Sequence, residues 1–454
     1  MSSGGHGGGG LPGMGWISGL LHTSHGTGGL HIQARPLIIA MAVILFAFLL
    51  VSPSQTFRNF EFVFFLAPIW IPAALVYFAF DRWLQFRRSE FIASQRYILL
   101  ELRMPRDTKK TPLAMETVFA NLNFSSGETT WYKKYIKGGV RPWWSAEIVS
   151  LGGQVHFYIW TRETLRRGLE SYFYAQYPGM EIIEAEDYSR LFDPLANEMW
   201  GAEYLKTKED PMPIKTYVDY GLDKVGTKPE EQIDPLAQLV EFLGSIGPKE
   251  QLWIQIPFRQ SRDEKYGRSW KEVGQDLIKS IKKDTISKRT TVDPNTGEVR
   301  EVDGFPNPTE GQKGIMALIE RHTNKPGFDV GIRAIYMAEP NAFQASMITY
   351  MINMFKPFSN EGGNGIKLAE LFSAKFNDYP WEDPSGHHKH HEHVRLVEFY
   401  RRRSYFHPPY TGPWMILSTE EIATLFHVPS STIETPTLPR IPSATSGAPA
   451  NLPT

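Results

Sequence analysis

The sequence predicts an α+β fold preceded by a pair of transmembrane helices, with disordered segments at both ends. Two long uncharged stretches predict the helical pair, and β-rich runs that alternate with amphipathic patterns predict mixed sheet and helix. The chain has 454 residues, 42% of them hydrophobic, so it can bury large cores in two or three domains. Its 48 basic and 49 acidic residues give a net charge of -1, so any binding of nucleic acid must be local.

The N-terminal residues predict a tail and a membrane hairpin. Residues 1–35 begin with MSSGGHGGGG and hold too little apolar surface to become ordered. Residues 36–88 contain two uncharged stretches, LIIAMAVILFAFLLV and FVFFLAPIWIPAALVYFAF, which we expect to form a transmembrane hairpin. A cleaved signal peptide and a pair of buried helices in a soluble core are the alternatives. No small-x-small cleavage site follows the first stretch, which argues against a signal peptide. The same stretch is apolar on all sides, which argues against a pair of helices buried in a soluble core.

Basic residues predict the orientation of this hairpin. Arg82, Arg87, Arg88 and Arg96 follow the second stretch, whereas the connecting loop offers only Arg58. Because basic residues favour the cytoplasmic side, we expect both termini in the cytoplasm and the protein in the inner (cytoplasmic) membrane. Neither stretch contains an ionisable residue, so the hairpin is predicted to anchor the chain in the lipid bilayer rather than to conduct ions.

Residues 95–190 predict a βαββαβ unit. RYILLEL has the pattern of a strand, and Thr111 followed by Pro112 marks the start of a helix. SAEIVS and VHFYIW predict a hairpin around a Gly-Gly turn. We place the next helix after Thr161, and MEIIEAE predicts the closing strand. This order of elements is that of the ferredoxin-like fold.

Residues 195–427 predict a second α+β domain of similar order. PIKTYVDY and QLWIQIPF predict strands around the helix DPLAQLVEFLGS, and FDVGIRAIYMA predicts a strand before a helix at 341–355. VRLVEFY is the candidate for the last strand. A helical insertion at about 265–325 separates the two halves. The sequence therefore predicts one or two ferredoxin-like units, followed by a disordered tail rich in Pro, Ser and Thr at 428–454.

The sequence contains no motif for a common enzymatic chemistry. GxxxxGK[ST], GxSxG, HExxH and GxGxxG are absent, and GGNGIK and GQKGIM lack the spacing and the Lys-Ser/Thr pair of a phosphate-binding loop. The chain has no cysteine, which excludes disulfides, thiol nucleophiles and iron-sulfur centres. We therefore expect neither enzymatic activity nor a cofactor.

A histidine-rich tract, GHHKHHEHV, raises the question of a metal. Neutral imidazoles bind zinc, copper or nickel, so the tract could chelate an ion and make the chain a metal-binding enzyme. A functional metal site usually takes its ligands from separate elements, which a local tract does not provide. We therefore prefer a solvated polar loop and predict no metal. The candidate ligands are His387, His388, His390, His391 and His393.

Two basic runs, RMPRDTKK and the aromatic-rich YKKYIKGGVRPWW, suggest a basic patch. Such a patch could bind nucleic acid through phosphate contacts and base stacking, or lie against anionic lipid headgroups or a partner protein. A solvated surface without a ligand is the alternative. A further run, 401–403, consists of three arginines. The residues of the patch are Arg103, Arg106, Lys109, Lys110, Lys133, Lys134, Lys137 and Arg141.

The C-terminal stretch LSTEEIATLFHVP predicts a short helix that ends at a proline. Ser418 and Glu421 have the spacing of a capping box, and Ile422, Leu425 and Phe426 can seat the helix on the body of the protein. Prolines recur after it, which predicts an extended and semi-rigid tether. We take these five residues as candidates for docking a partner.

Four segments together resemble the membrane-anchored N-terminal region of bacterial type IV secretion and conjugative DNA-transfer motor proteins. They are ELRMPRDTKKTPLAMETVFANL, WYKKYIKGGVRPWWSAEIVSLGGQVHFYIWT, YAQYPGMEIIEAEDY and LSTEEIATLFHVP. In that family a transmembrane hairpin and an α+β region precede an ATPase of the HerA and FtsK class, joined by such a helix and a proline-containing linker.

This sequence ends where the ATPase of that family would begin. The resemblance therefore implies a membrane-anchored docking component that binds a separately encoded motor ATPase and does not hydrolyse ATP itself. A stand-alone membrane scaffold is the alternative, because it shares every feature except the motor. The cargo and the oligomeric state stay open at this point.

Overall fold

The computed structural model describes residues 65, 67–103, 110–124, 128, 130–194, 196–224, 233–262, 264–292, 299–369 and 387–429. The α-helices of this part are α1 (Ala67–Ala93), α2 (Pro112–Leu122), α3 (Arg166–Gln176), α4 (Pro235–Gly244), α5 (Trp270–Asp284), α6 (Glu310–Thr323), α7 (Ser346–Asn353), α8 (His387–Arg401) and α9 (Thr419–Leu425). The strands are β1 (Tyr97–Arg103), β2 (Trp144–Leu151), β3 (Gln154–Arg162), β4 (Glu181–Ala185), β5 (Glu198–Lys206), β6 (Glu250–Gln260), β7 (Ile286–Val292), β8 (Val299–Pro306), β9 (Gly327–Val330), β10 (Ile332–Ala338), β11 (Ile366–Leu368), β12 (Phe406–His407), β13 (Tyr410–Thr411) and β14 (Met415–Ser418).

Most of these strands join one antiparallel sheet. It runs in the order β11-β5-β10-β6-β2-β3-β1-β4, while β9 pairs with the end of β6 and with β14. Pro257 lies in β6 where the neighbouring strand changes from β10 to β9, and its carbonyl accepts the N–H of Gly331 at 2.9 Å. Because proline has no N–H to donate, the break between two neighbours is a position where a central strand tolerates it.

β1, α2, β2, β3, α3 and β4 form a unit whose strands lie in the order β4-β1-β3-β2, the antiparallel arrangement of a βαββαβ fold. α2 begins at Pro112, whose fixed φ suits the first turn of a helix. Gly152 and Gly153 close the turn between β2 and β3 with φ of +59° and +90°, which favours glycine. Thr161, the predicted helix cap, lies in β3 instead, and α3 begins only at Arg166 after a 3-10 turn.

β5, α4, β6, β10, α7 and β11 form a second unit with the equivalent strand order β11-β5-β10-β6. Two strands predicted for this unit are wrong. Residues 213–220 contain no strand and end in a turn, and the first strand of the unit is β5, upstream of them. Residues 394–400 belong to α8, where Leu396 and Tyr400 are buried one helical turn apart, and the last strand is β11.

The two units join edge to edge through β2 and β6. These strands pair antiparallel, from Trp144 opposite Phe258 to Leu151 opposite Gln251. Each of them is the second strand of its unit, so their antiparallel pairing relates the units by an approximate two-fold axis through the middle of the pair. The two units therefore share one continuous sheet.

Helices and loops cover both faces of this sheet. Along β1, Ile98 and Leu100 lie in one core and Leu99 in the other, as the two-residue period of a strand requires. α2, α3, α4, α7 and α9 contribute apolar side chains to the first core. α8 and the segment 405–416 contribute to the second core. An insertion between β6 and β10 contains α5, the β7-β8 ribbon and α6, with α5 packed on α6.

Among the described residues, no helix is both long and apolar enough to cross a membrane. The first predicted span, 37–51, and the predicted tail, 1–35, lie outside this part of the chain. The second span overlaps α1, whose uncharged part runs from Ala67 to Phe80 and ends before Asp81. At about 1.5 Å per residue this part measures about 21 Å, less than a hydrocarbon core of about 30 Å. The predicted fold class is therefore wrong in its transmembrane hairpin, and the predicted inner-membrane location with both termini cytoplasmic is wrong with it.

Candidate functional site

The predicted docking helix, α9, is buried in the body of the protein. Ser418 Oγ accepts the N–H of Glu421 at 3.3 Å, and Glu421 Oε2 accepts the N–H of Ser418 at 2.8 Å, which together make the predicted capping box. Ile422, Leu425 and Phe426 lie in the first core, and α9 packs against α2 and α4. All five side chains are at most 1% exposed, so a separate partner cannot touch them in this fold. They can instead hold α9 in place.

Glu421 is also half of a buried ion pair. Its Oε1 lies 2.7 Å from Nζ of Lys206, at the end of β5, and accepts the N–H of Ile214 at 3.1 Å. Nζ of Lys206 donates further hydrogen bonds to the carbonyls of Asp210 and Ile416, at 2.8 and 3.2 Å. The first turn of α9 is therefore tied to β5 and to the segment that follows β5.

Glu420 binds two more cations. Its Oε1 accepts from Nη2 of Arg321 at 2.8 Å and from Oγ1 of Thr216 at 2.5 Å, and its Oε2 lies 2.8 Å from Nζ of Lys325. The same Nζ lies 2.6 Å from Oε1 of Glu116, in α2. Together with the pair described above, three buried carboxylates face three cations, and Arg321 lies 3.3 Å from a fourth carboxylate, that of Asp219. Cations that lie this close compensate for the water that the buried carboxylates have lost.

We call this group of residues the α9 anchor cluster. It joins α9 to α2, β5, α6 and the segment after β5. The members are Glu116, Lys206, Thr216, Arg321, His322, Lys325, Ser418, Glu420 and Glu421.

Of the anchor cluster, only the two capping residues were predicted from the sequence. The others make their contacts with residues that are distant along the chain. Lys325 and Glu116, for example, are 209 residues apart. A lone carboxylate within the apolar helical pattern of LAMETVFANL was the available signal, because such a group needs a partner when the helix is buried.

His322 lies inside the anchor cluster in its neutral form. Burial lowers its pKa to about 4, and the positive charges of Arg321 and Lys206 add to the effect of burial, whereas Glu421 opposes it. Its Nδ1 lies 2.8 Å from Oγ of Ser418. The imidazole therefore takes part in the capping hydrogen bonds without adding a fourth cation.

His427, just after α9, has the opposite tendency. Burial disfavours its charged form, but the carboxylate of Asp234 lies 3.1 Å from Nε2 and raises the pKa of His427 above its usual value. Nδ1 lies 2.9 Å from the carbonyl of Ala423. Since Asp234 also caps α4, this pair fixes the end of α9 to the start of α4.

The cavity beside the end of α9 is very small. It lies between residues 426–429 and the strands β1 and β3, and it measures about 20 Å³. A single water molecule needs about 10–15 Å³ by this measure, so this cavity cannot admit a substrate. The geometry around α9 is suited to holding chain segments together rather than to chemistry.

The predicted basic patch does not form a single surface in the described residues. Lys133 and Lys134 lie on the π-helical segment Tyr132–Ile136 and Lys137 follows it directly, with the ammonium of Lys134 5.5 Å from the ring centre of Tyr135. Arg141 is buried and pairs with Glu264 at 2.6 Å.

The remaining members of the patch lie elsewhere. Arg103 pairs with Glu101 at 2.8 Å, and Lys110 is exposed before α2. Arg106 and Lys109 lie outside the described residues. The predicted grouping of eight therefore reduces, in the described part, to three neighbouring lysines.

The run of three arginines also divides. Arg401 donates to the carbonyls of Ser189 and Phe192, and Arg402 pairs with Glu398 on the surface. Arg403 is fully buried. The run is thus part surface and part core.

The histidine-rich tract begins α8 and is not the loop that we preferred from the sequence. His390 and His391 are exposed, whereas His393 is buried. The side chains of His387 and His388 lie outside the described residues. Within the described part, no group of three or more His, Asp or Glu side chains could hold a metal ion.

Comparison with known proteins gives a family. A family model with the description "Domain of unknown function (DUF8128)" matches residues 98–440. No curated protein matches the chain. The matched region starts in β1 and continues past α9, so it includes both units, the insertion and the anchor cluster. Because the match covers far more than half of the 454 residues, the chain belongs to the DUF8128 family.

Proposed function

We propose that this protein is a docking component that holds a separate motor ATPase of the HerA and FtsK class. The α9 anchor cluster is the observation that supports this proposal best. α9 directly precedes the proline-rich residues 430–454, and ion pairs fix it to β5, α6 and α2. The resemblance of LSTEEIATLFHVP to the helix that precedes such motors supplies the identity of the partner.

A tether that bears load must be attached firmly to its support. The Lys206–Glu421 pair is buried on both sides, and loss of one partner of such a pair typically costs about 3–5 kcal/mol. Glu420 is also fully buried, whereas its cations Arg321 and Lys325 are 33% and 28% exposed. These ion pairs converge on a helix of seven residues, Thr419–Leu425. Force applied beyond α9 would therefore act on the whole sheet rather than unravel the helix.

The proposal assigns ATP hydrolysis to the partner. The 454 residues contain no GxxxxGK[ST] motif, whose backbone N–H groups and lysine would hold the phosphates. In this proposal the present protein contributes binding and mechanical support.

Binding to a purified ATPase tests this function. The ATPase is the HerA and FtsK class protein from the same organism, and the protein is compared as the full chain, as a variant without residues 430–454, and as a variant with these residues scrambled. We expect the full chain to bind, measured by biolayer interferometry, and both altered chains to bind at least ten-fold more weakly.

The scrambled chain is the matched control, because it keeps the length and composition of the segment. Equal binding by all three chains would place the contact elsewhere. Failure of the full chain to bind any ATPase of this class from its own organism would overturn the proposal.

A further inference from the structure

A cleft of about 600 Å³ opens on the side of the second core, away from the anchor cluster. Its walls are the C-terminal end of α1, the strands β1 and β4, and the segment 401–409. Sites for small molecules usually measure about 300–1,000 Å³, so this cleft has the size of a binding site.

Aromatic rings form the floor of the cleft. Tyr97 of β1 and Trp160 of β3 stack in parallel, with their ring centres 4.3 Å apart and their planes at 6°. Trp143 lies 5.6 Å from Trp160, and His407 lies 5.9 Å from Trp143. Trp143 and Trp160 line the cleft but are only 4% and 7% exposed, so the partly exposed ring of Tyr97 offers the main apolar surface for a flat ring in the ligand.

The positions of Tyr97 and Trp160 in the sheet indicate what kind of ligand the cleft could bind. β1 and β3 are the central strands of the first βαββαβ unit, and the rings lie on the side of its sheet opposite α2 and α3. Four-stranded sheets of this kind that bind RNA stack bases on aromatic side chains of their open face. The same kind of surface is present here, enclosed as a cleft.

Positive charge surrounds the aromatic floor. Arg190, Arg401 and Arg402 line the rim of the cleft, and Arg402 also pairs with Glu398 on the surface. Arg401 donates its hydrogen bonds to backbone carbonyls, so these contacts leave its charge uncompensated. Arg162 is only 7% exposed, and its guanidinium carbon lies 5.7 Å from the ring centre of Trp143, beside the floor. The hydrogen bond of Arg162 also goes to a carbonyl, that of Val140 at 3.2 Å.

Two carboxylates line the cleft as well, and both are engaged by other cations. Asp187 accepts from Arg403 at 2.5 Å, and Glu184 accepts from Arg166 at 2.6 Å. Burial, followed by the charges of Arg259 and further arginines, holds the pKa of His407 well below its usual value, so this ring adds no charge to the lining. The lining contains three arginines and two carboxylates, and this excess of positive charge favours an anion.

We propose that this cleft binds one nucleotide unit, with the base against the aromatic floor and the phosphate at the arginine rim. The nucleotide is either a free nucleoside monophosphate or one residue of single-stranded nucleic acid. Stacking on aromatic side chains accepts any base, and arginine suits phosphate. This inference goes beyond the proposed function and does not depend on it.

The test measures binding to the full chain at fixed low salt. Titration with AMP is followed by tryptophan fluorescence, and titration with a fluorescein-labelled dT12 oligonucleotide is followed by anisotropy. Arg190→Ala/Arg402→Ala removes two exposed charges of the rim, and Tyr97→Leu removes a ring of the floor. We expect each variant to weaken binding ten-fold or more. The control, Arg82→Ala, removes an exposed arginine elsewhere and should change binding less than two-fold.

The two probes distinguish the sources of the nucleotide. Binding of AMP that is sensitive to both variants supports a free nucleotide, and binding of dT12 alone with the same sensitivity supports single-stranded nucleic acid. The proposal fails if neither probe binds. It also fails if binding ignores these variants and is lost instead in Lys133→Ala/Lys134→Ala/Lys137→Ala, because the site would then be the lysine cluster.

Discussion

Single buried charges decide where α9 lies. Glu420 and Glu421 are fully buried in its first turn, where the helix N-terminus also favours negative charge. A carboxylate that has lost its water is stable only when cations and hydrogen-bond donors replace that water. The two carboxylates thus select the position of α9 at which the cations of other elements reach them.

Loss of Lys206 should expose the cost of a buried unpaired carboxylate. Lys206→Met keeps much of the side-chain volume but leaves Glu421 without its cation, so we expect the free energy of unfolding to fall by about 3–5 kcal/mol. Lys249→Met is the matched control, because Lys249 and Glu339 are also 2.6 Å apart, but their side chains are 63% and 50% exposed. The control should cost at most about 1 kcal/mol. Urea denaturation followed by circular dichroism measures both values.

The double variant Lys206→Met/Glu421→Gln sharpens this test. It removes both charges of the pair, so its loss of stability should be smaller than the sum of the two single losses. Strict additivity would show that the pair does not interact as the geometry implies.

His322 should make stability depend on pH in a defined window. Its pKa is about 4 in the folded protein and about 6.5 in the unfolded chain. Between these two pH values the unfolded chain therefore binds a proton that the folded protein does not bind. The contribution of His322 to stability is therefore constant above about pH 6.5, falls by about 2–3 kcal/mol as the pH drops to 4.5, and levels below pH 4.

The measurement for His322 is a difference between two proteins. Burial raises the pKa of Glu203 to about 7, which acts in the opposite direction over the same window, so the wild-type profile alone is not diagnostic. We expect the stability of wild type relative to His322→Gln, from urea denaturation, to decrease between pH 6.5 and 4.5. A difference that stays constant over this range would show that His322 titrates normally.

At the scale of elements, the sequence correctly predicts helix starts and caps that depend only on neighbouring residues. The capping box at Ser418 and the start of α2 at Pro112 depend on adjacent residues, and both are present. The segments 213–220 and 394–400 are wrongly predicted as strands, because short apolar runs fit a strand and a buried helix equally well. Their real states depend on distant packing: residues 394–400 form a helix because one face of α8 covers the second core.

Two capping boxes of the same residue types allow a comparison at this scale. Ser269 and Glu272 make the same pair of hydrogen bonds at the exposed start of α5 that Ser418 and Glu421 make at the buried start of α9. Ser269→Ala should cost about 1 kcal/mol, a typical value for a lost cap. Ser418→Ala should cost about 1–3 kcal/mol more, because His322 Nδ1 and the N–H of Glu421 lose a partner away from water.

Thermal or urea unfolding of these two variants gives the comparison directly. Equal losses would mean that burial of the α9 box adds nothing to its capping hydrogen bonds, which contradicts the role assigned to the anchor cluster.

For the whole molecule, the sequence could predict the order of elements but not how the units meet. The alternation of strands and helices predicted two similar halves. The pairing of β2 with β6 joins residues about a hundred positions apart, and nothing local in either strand specifies that neighbour. The cleft shares this property, because its floor comes from β1, β3 and residues after α8. The predicted hairpin is wrong for another reason: the apolar composition of 62–80 fits a membrane span, but α1 continues through charged residues from Asp81 onwards.

A network around Arg403 crosses the junction between the units. Its guanidinium donates to Glu147 of β2 at 2.9 Å and to Asp187 at 2.5 Å, and its backbone φ is +48°. Gln255 of β6 donates to the same Glu147 at 3.1 Å. Glu147 and Gln255 are directly opposite each other in the register of β2 and β6, close to the approximate two-fold axis. The network therefore bonds both units to the layer that covers the second core.

Loss of Arg403 should weaken both units together. Arg403→Met keeps a Cβ, so the backbone strain is unchanged, but Glu147 stays buried without its cation, and we expect a loss of about 3–5 kcal/mol. Because the sheet is continuous, hydrogen exchange should increase to a similar extent in β3 of the first unit and β10 of the second. Arg402→Met, which changes an exposed neighbour paired with Glu398, should cost less than about 1 kcal/mol. Faster exchange confined to one unit would show that the halves unfold independently and that the junction does not couple them.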